Sequence, residues 1–124
     1  MSCAGDCGAC PTCGELRAGG RLSRGESAMS CDGRFTLAMQ GDGNLVLYMG
    51  ATPLWASGTD GTGGSSADMQ GDGNFVLYDG AGVPLWASGT DGNPGAYLAI
   101  QNDGNLVVYA TDGRALWSSG TCCH

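Results

Sequence analysis

Four hydrogen-bonding residue types and one valine recur three times along this chain at one fixed spacing. The pattern is Gln-x-Asp-x-Asn-x-Val-x-Tyr. It reads Gln40, Asp42, Asn44, Val46 and Tyr48, then Gln70, Asp72, Asn74, Val76 and Tyr78, then Gln101, Asp103, Asn105, Val107 and Tyr109. The Gln and Asn carboxamides both donate and accept, an ionised Asp only accepts, and the Tyr hydroxyl does both. That mixture suits a ligand rich in hydroxyl groups, with the valine as an apolar floor. A hydroxyl donating to a carboxylate is held more strongly than one donating to a neutral oxygen. Mounting the groups on a hairpin orders them before the ligand arrives. Each such site would still be weak alone, because a shallow polar site competes with water.

The elements that must position these residues follow from the same spacing. The glutamines stand 30 and 31 residues apart, which marks one supersecondary unit used three times. Each unit divides into three short strands. The first runs over 35–40 in the first copy and 97–101 in the third, and the second runs from 44 to 48 and its equivalents. The third covers 53–59, 84–90 and 115–121, with Trp55, Trp86 and Trp117 in step. Between the first two strands lies Asp-Gly, at 42–43, 72–73 and 103–104. This predicts a two-residue hairpin turn with both central residues at positive φ. Strand side chains alternate faces. Leu37, Met39, Leu45 and Leu47 therefore point inward, as do Met69, Phe75 and Leu77, and Leu98, Ile100, Leu106 and Val108. Gln40, Asn44, Val46 and Tyr48 share the outward face, with Asp42 at the turn. A three-stranded sheet cannot bury its apolar face alone. Three such sheets around one axis can, with the tryptophans meeting near it. The unit is shorter than a propeller blade of roughly 40 residues. The expected fold is all-β, a triangular prism of three small antiparallel sheets with pseudo-three-fold symmetry.

Composition narrows the function. At 124 residues, with 24 glycines and four prolines, the chain suits a single domain of short strands and tight turns. The net charge is -7 with only five basic residues. No cluster of Lys and Arg exists for a nucleic-acid backbone or an anionic membrane, and no apolar run approaches ~18 residues, so neither partner is expected. The first fifteen residues hold four cysteines and no apolar stretch, unlike a signal peptide. The single histidine is His124. No nucleophile has an evident base partner, and three equivalent sites argue for binding rather than turnover, so no enzyme is expected. The aspartates follow neither the calcium-loop spacing nor the nine-residue calcium repeat. One departure among the copies is Asp68, two residues before Gln70, where the others carry Ala38 and Ala99. It should add negative charge beside the second site.

The threefold Gln-x-Asp-x-Asn-x-Val-x-Tyr pattern resembles the snowdrop-type mannose-binding lectins of monocot bulbs, the B-lectin family. The lead-in from Leu16 to Glu26 also looks like that family's opening strand and turn. The resemblance spans 15–121 and implies a type II β-prism. It implies further that Asp42, Asp72 and Asp103 with Asn44, Asn74 and Asn105 hold the 2-hydroxyl of mannose. Gln40, Gln70 and Gln101 would reach the 3-hydroxyl, Tyr48, Tyr78 and Tyr109 the 4-hydroxyl, and Val46, Val76 and Val107 the ring carbons. All fifteen positions match, which implies three competent sites for mannose or mannose-containing glycans, with no metal or other cofactor. The family often exchanges C-terminal strands, so the resemblance also allows a homodimer. A lectin of this kind usually works outside the cell, which makes a secreted protein the expectation.

Two cysteine-rich ends flank the prism, over 1–14 and over the Cys-Cys-His tail 122–124. Cys3, Cys7, Cys10 and Cys13 could form disulfides or hold zinc or an iron–sulfur cluster. Extracellular use favours disulfides, and the N-terminal cysteines could bridge to Cys122 or Cys123. The family's internal disulfide is missing, since no cysteine lies between 32 and 121. Two other functional classes stand beside the lectin. One is a prism that serves as a structural or protein-binding module. The other is a metal- or redox-responsive protein working through its ends.

Overall fold

The computed structural model describes residues 14–123. Among these the chain forms β1 (Glu15–Leu16), β2 (Arg21–Ser23), β3 (Ser27–Met29), β4 (Phe35–Met39), β5 (Leu45–Met49), β6 (Thr52–Ala56), β7 (Gly64–Met69), β8 (Phe75–Asp79), β9 (Pro84–Ala87), β10 (Tyr97–Ile100), β11 (Leu106–Tyr109) and β12 (Ala115–Ser118). They assemble into three four-stranded antiparallel sheets, ordered β3-β4-β5-β6, β2-β7-β8-β9 and β1-β10-β11-β12. This is the three-sheet β-prism.

Each repeat supplies three consecutive strands of one sheet, as its alternation predicts. The fourth strand was not expected and comes from the lead-in. The segment from Glu15 to Met29 pairs first with the third repeat, next with the second and last with the first. Its strands are two or three residues long, too short for a period-2 pattern to show. It ties the three sheets together, and Leu22 adds a buried side chain to the core.

The inward residues pack as their alternation requires. Leu37, Met39, Leu45, Leu47, Met69, Phe75, Leu77, Leu98, Ile100, Leu106 and Val108 all belong to one cluster and are essentially inaccessible. The tryptophans close the axis. Their ring centroids stand 5.3, 5.5 and 5.4 Å apart in edge-to-face pairs, the arrangement that aromatic quadrupoles favour. Phe75 packs edge-on against Trp86 from the second sheet.

The hairpin turn differs from expectation. Gly43, Gly73 and Gly104 have positive φ, but the aspartates before them do not. The loop is three residues long: the Gln40 amide donates to Asn44 O, and the Gly43 amide donates back to Gln40 O. The other two copies repeat both bonds. Such a loop needs only its last residue in the left-handed region. Asp42 therefore keeps an ordinary backbone and its side chain is free to accept from the Asn44 amide at 2.9 Å. Gly43 is fixed for a second reason, since a Cβ there would lie 2.8 Å from Gly64 N.

At the C-terminal end Cys122 is disulfide-bonded to Cys123, not to an N-terminal cysteine. The two are adjacent in sequence, so the bridge closes locally. Cys3, Cys7, Cys10, Cys13 and His124 lie outside the described residues, and with them the metal reading of that cluster.

Candidate functional site

Each site is built on one hairpin and held from behind by the third strand's exit. In the first copy Asn44 Oδ1 accepts from Ser57 Oγ at 3.1 Å, from the Gly58 amide at 3.1 Å and from the Thr59 amide at 3.2 Å. Asn74 accepts likewise from Ser88, Gly89 and Thr90, and Asn105 from Ser119 and Thr121. Donors converging on one atom identify that atom as the oxygen. The carboxamide is thereby locked with its NH2 turned away from the strand exit. The threonine behind it donates to the glycine carbonyl of the same loop, at 2.6, 2.5 and 2.6 Å in the three copies. These Ser and Thr residues lay in the third-strand pattern, but only as strand residues. Their signal was the Ser-Gly-Thr triplet recurring after every tryptophan-bearing strand.

Two residues before the locked carboxamide stands the aspartate. One oxygen of Asp42, Asp72 and Asp103 takes the amide of the asparagine two residues on, at 2.9 Å in all three copies. Its other oxygen has no partner within the loop. Donor and acceptor thus sit side by side, an arrangement that serves one hydroxyl through both its proton and its lone pairs.

Along the same face, Gln40 Nε2 donates to the Tyr48 hydroxyl, as Gln70 does to Tyr78 and Gln101 to Tyr109. This coupling was not read from the sequence, where the two residues lie eight apart. It leaves the tyrosine O–H proton free to be donated outward and the glutamine oxygen free to accept. The register between the second and third strands shifts at this tyrosine in every copy, between Leu47 and Tyr48, Leu77 and Tyr78, and Val108 and Tyr109. Such irregularities re-aim a side chain.

The valines share the face but not its exposure. Val46, Val76 and Val107 are 4%, 4% and 2% exposed. Val46 lies between Ala38 and Ala56 across the sheet, and between Asn44 and Tyr48 along its strand. Set between the longer side chains of Asn44 and Tyr48 along its strand, with only alanines across the sheet, the valine forms the floor of a trough.

Asp68 also differs from expectation. Its carboxylate does not stand as added negative charge, because Arg21 of β2 grips it with Nε at 2.9 Å and Nη2 at 3.1 Å. The hydrogen bond and the charge of Asp68 in turn raise the Arg21 guanidinium above its ordinary value. Around the third site Tyr97 meets Tyr109 with centroids 5.8 Å apart, and Arg17 lies 4.8 Å over the Tyr97 ring. The five marked residues are therefore alike in three copies, while their surroundings are not. Among the described residues no group of three or more His, Cys, Asp or Glu side chains could hold a metal ion.

No family model and no curated protein sequence matches the chain. Solved structures do. A Japanese Marasmius oreades lectin is 37% identical with a TM-score of 0.83, covering 90% of this chain and 93% of that one. A monomeric monocot mannose-binding lectin from Gastrodia elata is 40% identical with a TM-score of 0.80, covering 87% and 97%. The mannose-specific agglutinin of snowdrop (Galanthus nivalis) bulbs, solved with methyl-α-D-mannoside, is 41% identical with a TM-score of 0.74, covering 90% and 99%.

Proposed function

The chain belongs to the snowdrop-type lectin family, and from that premise we propose that it is a mannose-binding lectin with three sites that need no metal. The observation that carries the reading is the locked carboxamide beside a half-free carboxylate, repeated at Asn44 and Asp42, Asn74 and Asp72, and Asn105 and Asp103. An axial 2-hydroxyl donates to the aspartate and accepts from the asparagine NH2. Gln40 and its equivalents take the 3-hydroxyl, the tyrosine hydroxyl takes the 4-hydroxyl, and the buried valine meets the ring's C–H face. Sugars that place the 2-hydroxyl equatorially leave this donor–acceptor pair unused, and an unmet polar group is costly. The sites act by direct hydrogen bonds and hold the sugar without transforming it. The proposed location is extracellular, where glycans and disulfides both occur.

β12 pairs with β11 of the same chain, so the third sheet is complete without a second copy. Calorimetric titration with methyl α-mannoside after chelator treatment tests the proposal. The expected result is three sites per chain, each with Kd near or above about 1 mM, roughly 4 kcal/mol of binding energy. No heat and no shifted amide resonances at tens of millimolar sugar would leave a prism that acts as a scaffold.

A further inference from the structure

We propose that the groove beside the second site holds a second sugar residue of an α-mannosyl glycan through the Arg21–Asp68 pair, which makes this site select oligosaccharide over monosaccharide. The proposal rests on the mannose-binding reading of the site and extends it to one neighbouring ring.

The argument starts from sheet register. Val76, the floor of the second site, lies opposite Asp68, and Asp68 lies opposite Arg21. The same row reads Val46, Ala38 and Ser27 in the first sheet, and Val107, Ala99 and Glu15 in the third. On this side of the valine only the second sheet places a hydrogen-bonding side chain next to it; in the third sheet Ser118 stands opposite Val107, but on the other side, across β12. In the third sheet the Glu15 carboxylate is taken by Arg17 at 2.7 Å. Space does not separate the sites, since the first groove is about 700 Å³ and the second about 650 Å³. Chemistry does. The second groove runs continuously from Gln70 and Tyr78 to Ser66, Asp68, Arg21 and Ser23.

The pair suits a neutral polyol. A guanidinium carries five N–H donors in one plane, and the carboxylate contact uses two of them. The guanidinium is 62% exposed while the carboxylate is 17% exposed, so the free donors face the groove's open side from a fixed base. Each Asp68 oxygen also keeps acceptor capacity. The pair is internally neutral, so it offers adjacent donors and acceptors without drawing an anion. Arg24 closes the far end with both Nε and Nη2 committed to Gly64 O, at 3.1 and 2.6 Å. Hydrogen bonds to charged groups are the stronger kind, and here they lie one strand beyond the ring floor.

The side-chain amides of Asn44, Asn74 and Asn105 report the three sites separately in NMR titrations. The ligands are methyl α-mannoside and a set of α-linked mannobiosides of differing linkage. At least one mannobioside is expected to bind the second site roughly tenfold tighter than the monosaccharide does. The ratio should be smaller at the other two sites. Replacing the row by that of the first sheet, Arg21→Ser with Asp68→Ala, should erase the preference and leave monosaccharide affinity unchanged. The reverse exchange, Ser27→Arg with Ala38→Asp, should create the preference at the first site, and it covers the case in which the first variant fails to fold. Monosaccharide binding at all three sites with no mannobioside preference at the second overturns the inference alone. So does a preference that survives the Arg21→Ser, Asp68→Ala exchange. Absence of methyl α-mannoside binding at every site overturns the lectin reading and the inference with it.

Discussion

Asn74 faces two ways, and the two faces separate under substitution. Its oxygen satisfies Ser88 Oγ and the amides of Gly89 and Thr90, while its NH2 is turned away from them, toward where the proposed sugar would sit. Asn74→Ala removes both functions. It leaves strand-exit donors unpaired, and a cost of about 1–3 kcal/mol is expected with loss of the second site. Asn74→Asp keeps the accepting oxygen and replaces the ligand-facing donor by a second acceptor beside Asp72. It should abolish sugar binding at that site while thermal unfolding stays within about 1 kcal/mol of the parent. Thermal melts of the two variants, with the Asn44 and Asn105 amides as internal controls in the titration, check both expectations. Gly73 is constrained differently. Its φ is 96° and a Cβ would lie 2.3 Å from Asn93 O. Gly73→Ala should therefore cost about 2 kcal/mol or more through backbone strain and displacement of the Asn93 segment.

At the scale of elements, two short pieces outside the repeat act on the sites. Leu22 is the buried anchor of β2, and Leu22→Ala should lower stability by about 2–4 kcal/mol in denaturant titration, because the strand has little else to hold it. The turn over 30–34 braces the third site. The Asp32 amide donates to Asn102 Oδ1 at 3.1 Å, and Arg34 donates to Asn102 O. Hydrogen bonds from Arg34 first, then Ser30, pull the Asp32 carboxyl down to about 2 from 3.8. A carboxyl lowered by folding stabilises the native state above its unfolded value, and that contribution disappears as pH falls through about 2. A carboxyl-carbon NMR titration should place the Asp32 midpoint there, and Arg34→Ala should move it up toward 3.8. These pieces also mark how far the sequence could be read. The inward and outward sorting of Leu45, Leu47, Asn44 and Tyr48 follows from a period of two repeated over five residues, and it was legible. β1, β2 and β3 are too short to carry a period, and their partners lie as many as 84 residues away, as between Glu15 and Ala99. The turn was misread because Asp-Gly fits both the two-residue and three-residue hairpin. Asn102, standing where the other copies have Gly41 and Gly71, is accommodated because the loop's first position needs no positive φ. The Arg21–Asp68 pair depends on β2 meeting β7, which no local pattern announces.

At the scale of the molecule, three sheets turn their marked faces away from one tryptophan-lined axis. Sites that look away from one another gain little from a single short glycan, since linked binding requires that the geometry permit simultaneous engagement. They are suited instead to bridging separate glycans, so the valence of the chain should appear as cross-linking. Variants carrying Asn→Asp at one, two or three of positions 44, 74 and 105 grade that valence without unfolding the prism. The parent and each two-site variant should agglutinate mannan-coated beads. Every one-site variant should bind the beads, and methyl α-mannoside at its remaining site, without agglutinating them. Light scattering reads the first property and bead depletion the second. Agglutination by a one-site variant would require a second copy of the chain to supply the other site. Since β12 completes its own sheet within the chain, such a copy would have to associate through another surface or displace that strand. Sedimentation of the one-site variant over a range of concentrations separates a monomer from a pair. For a monomer, the number of intact asparagine locks should decide whether the protein merely coats a glycan surface or joins two of them.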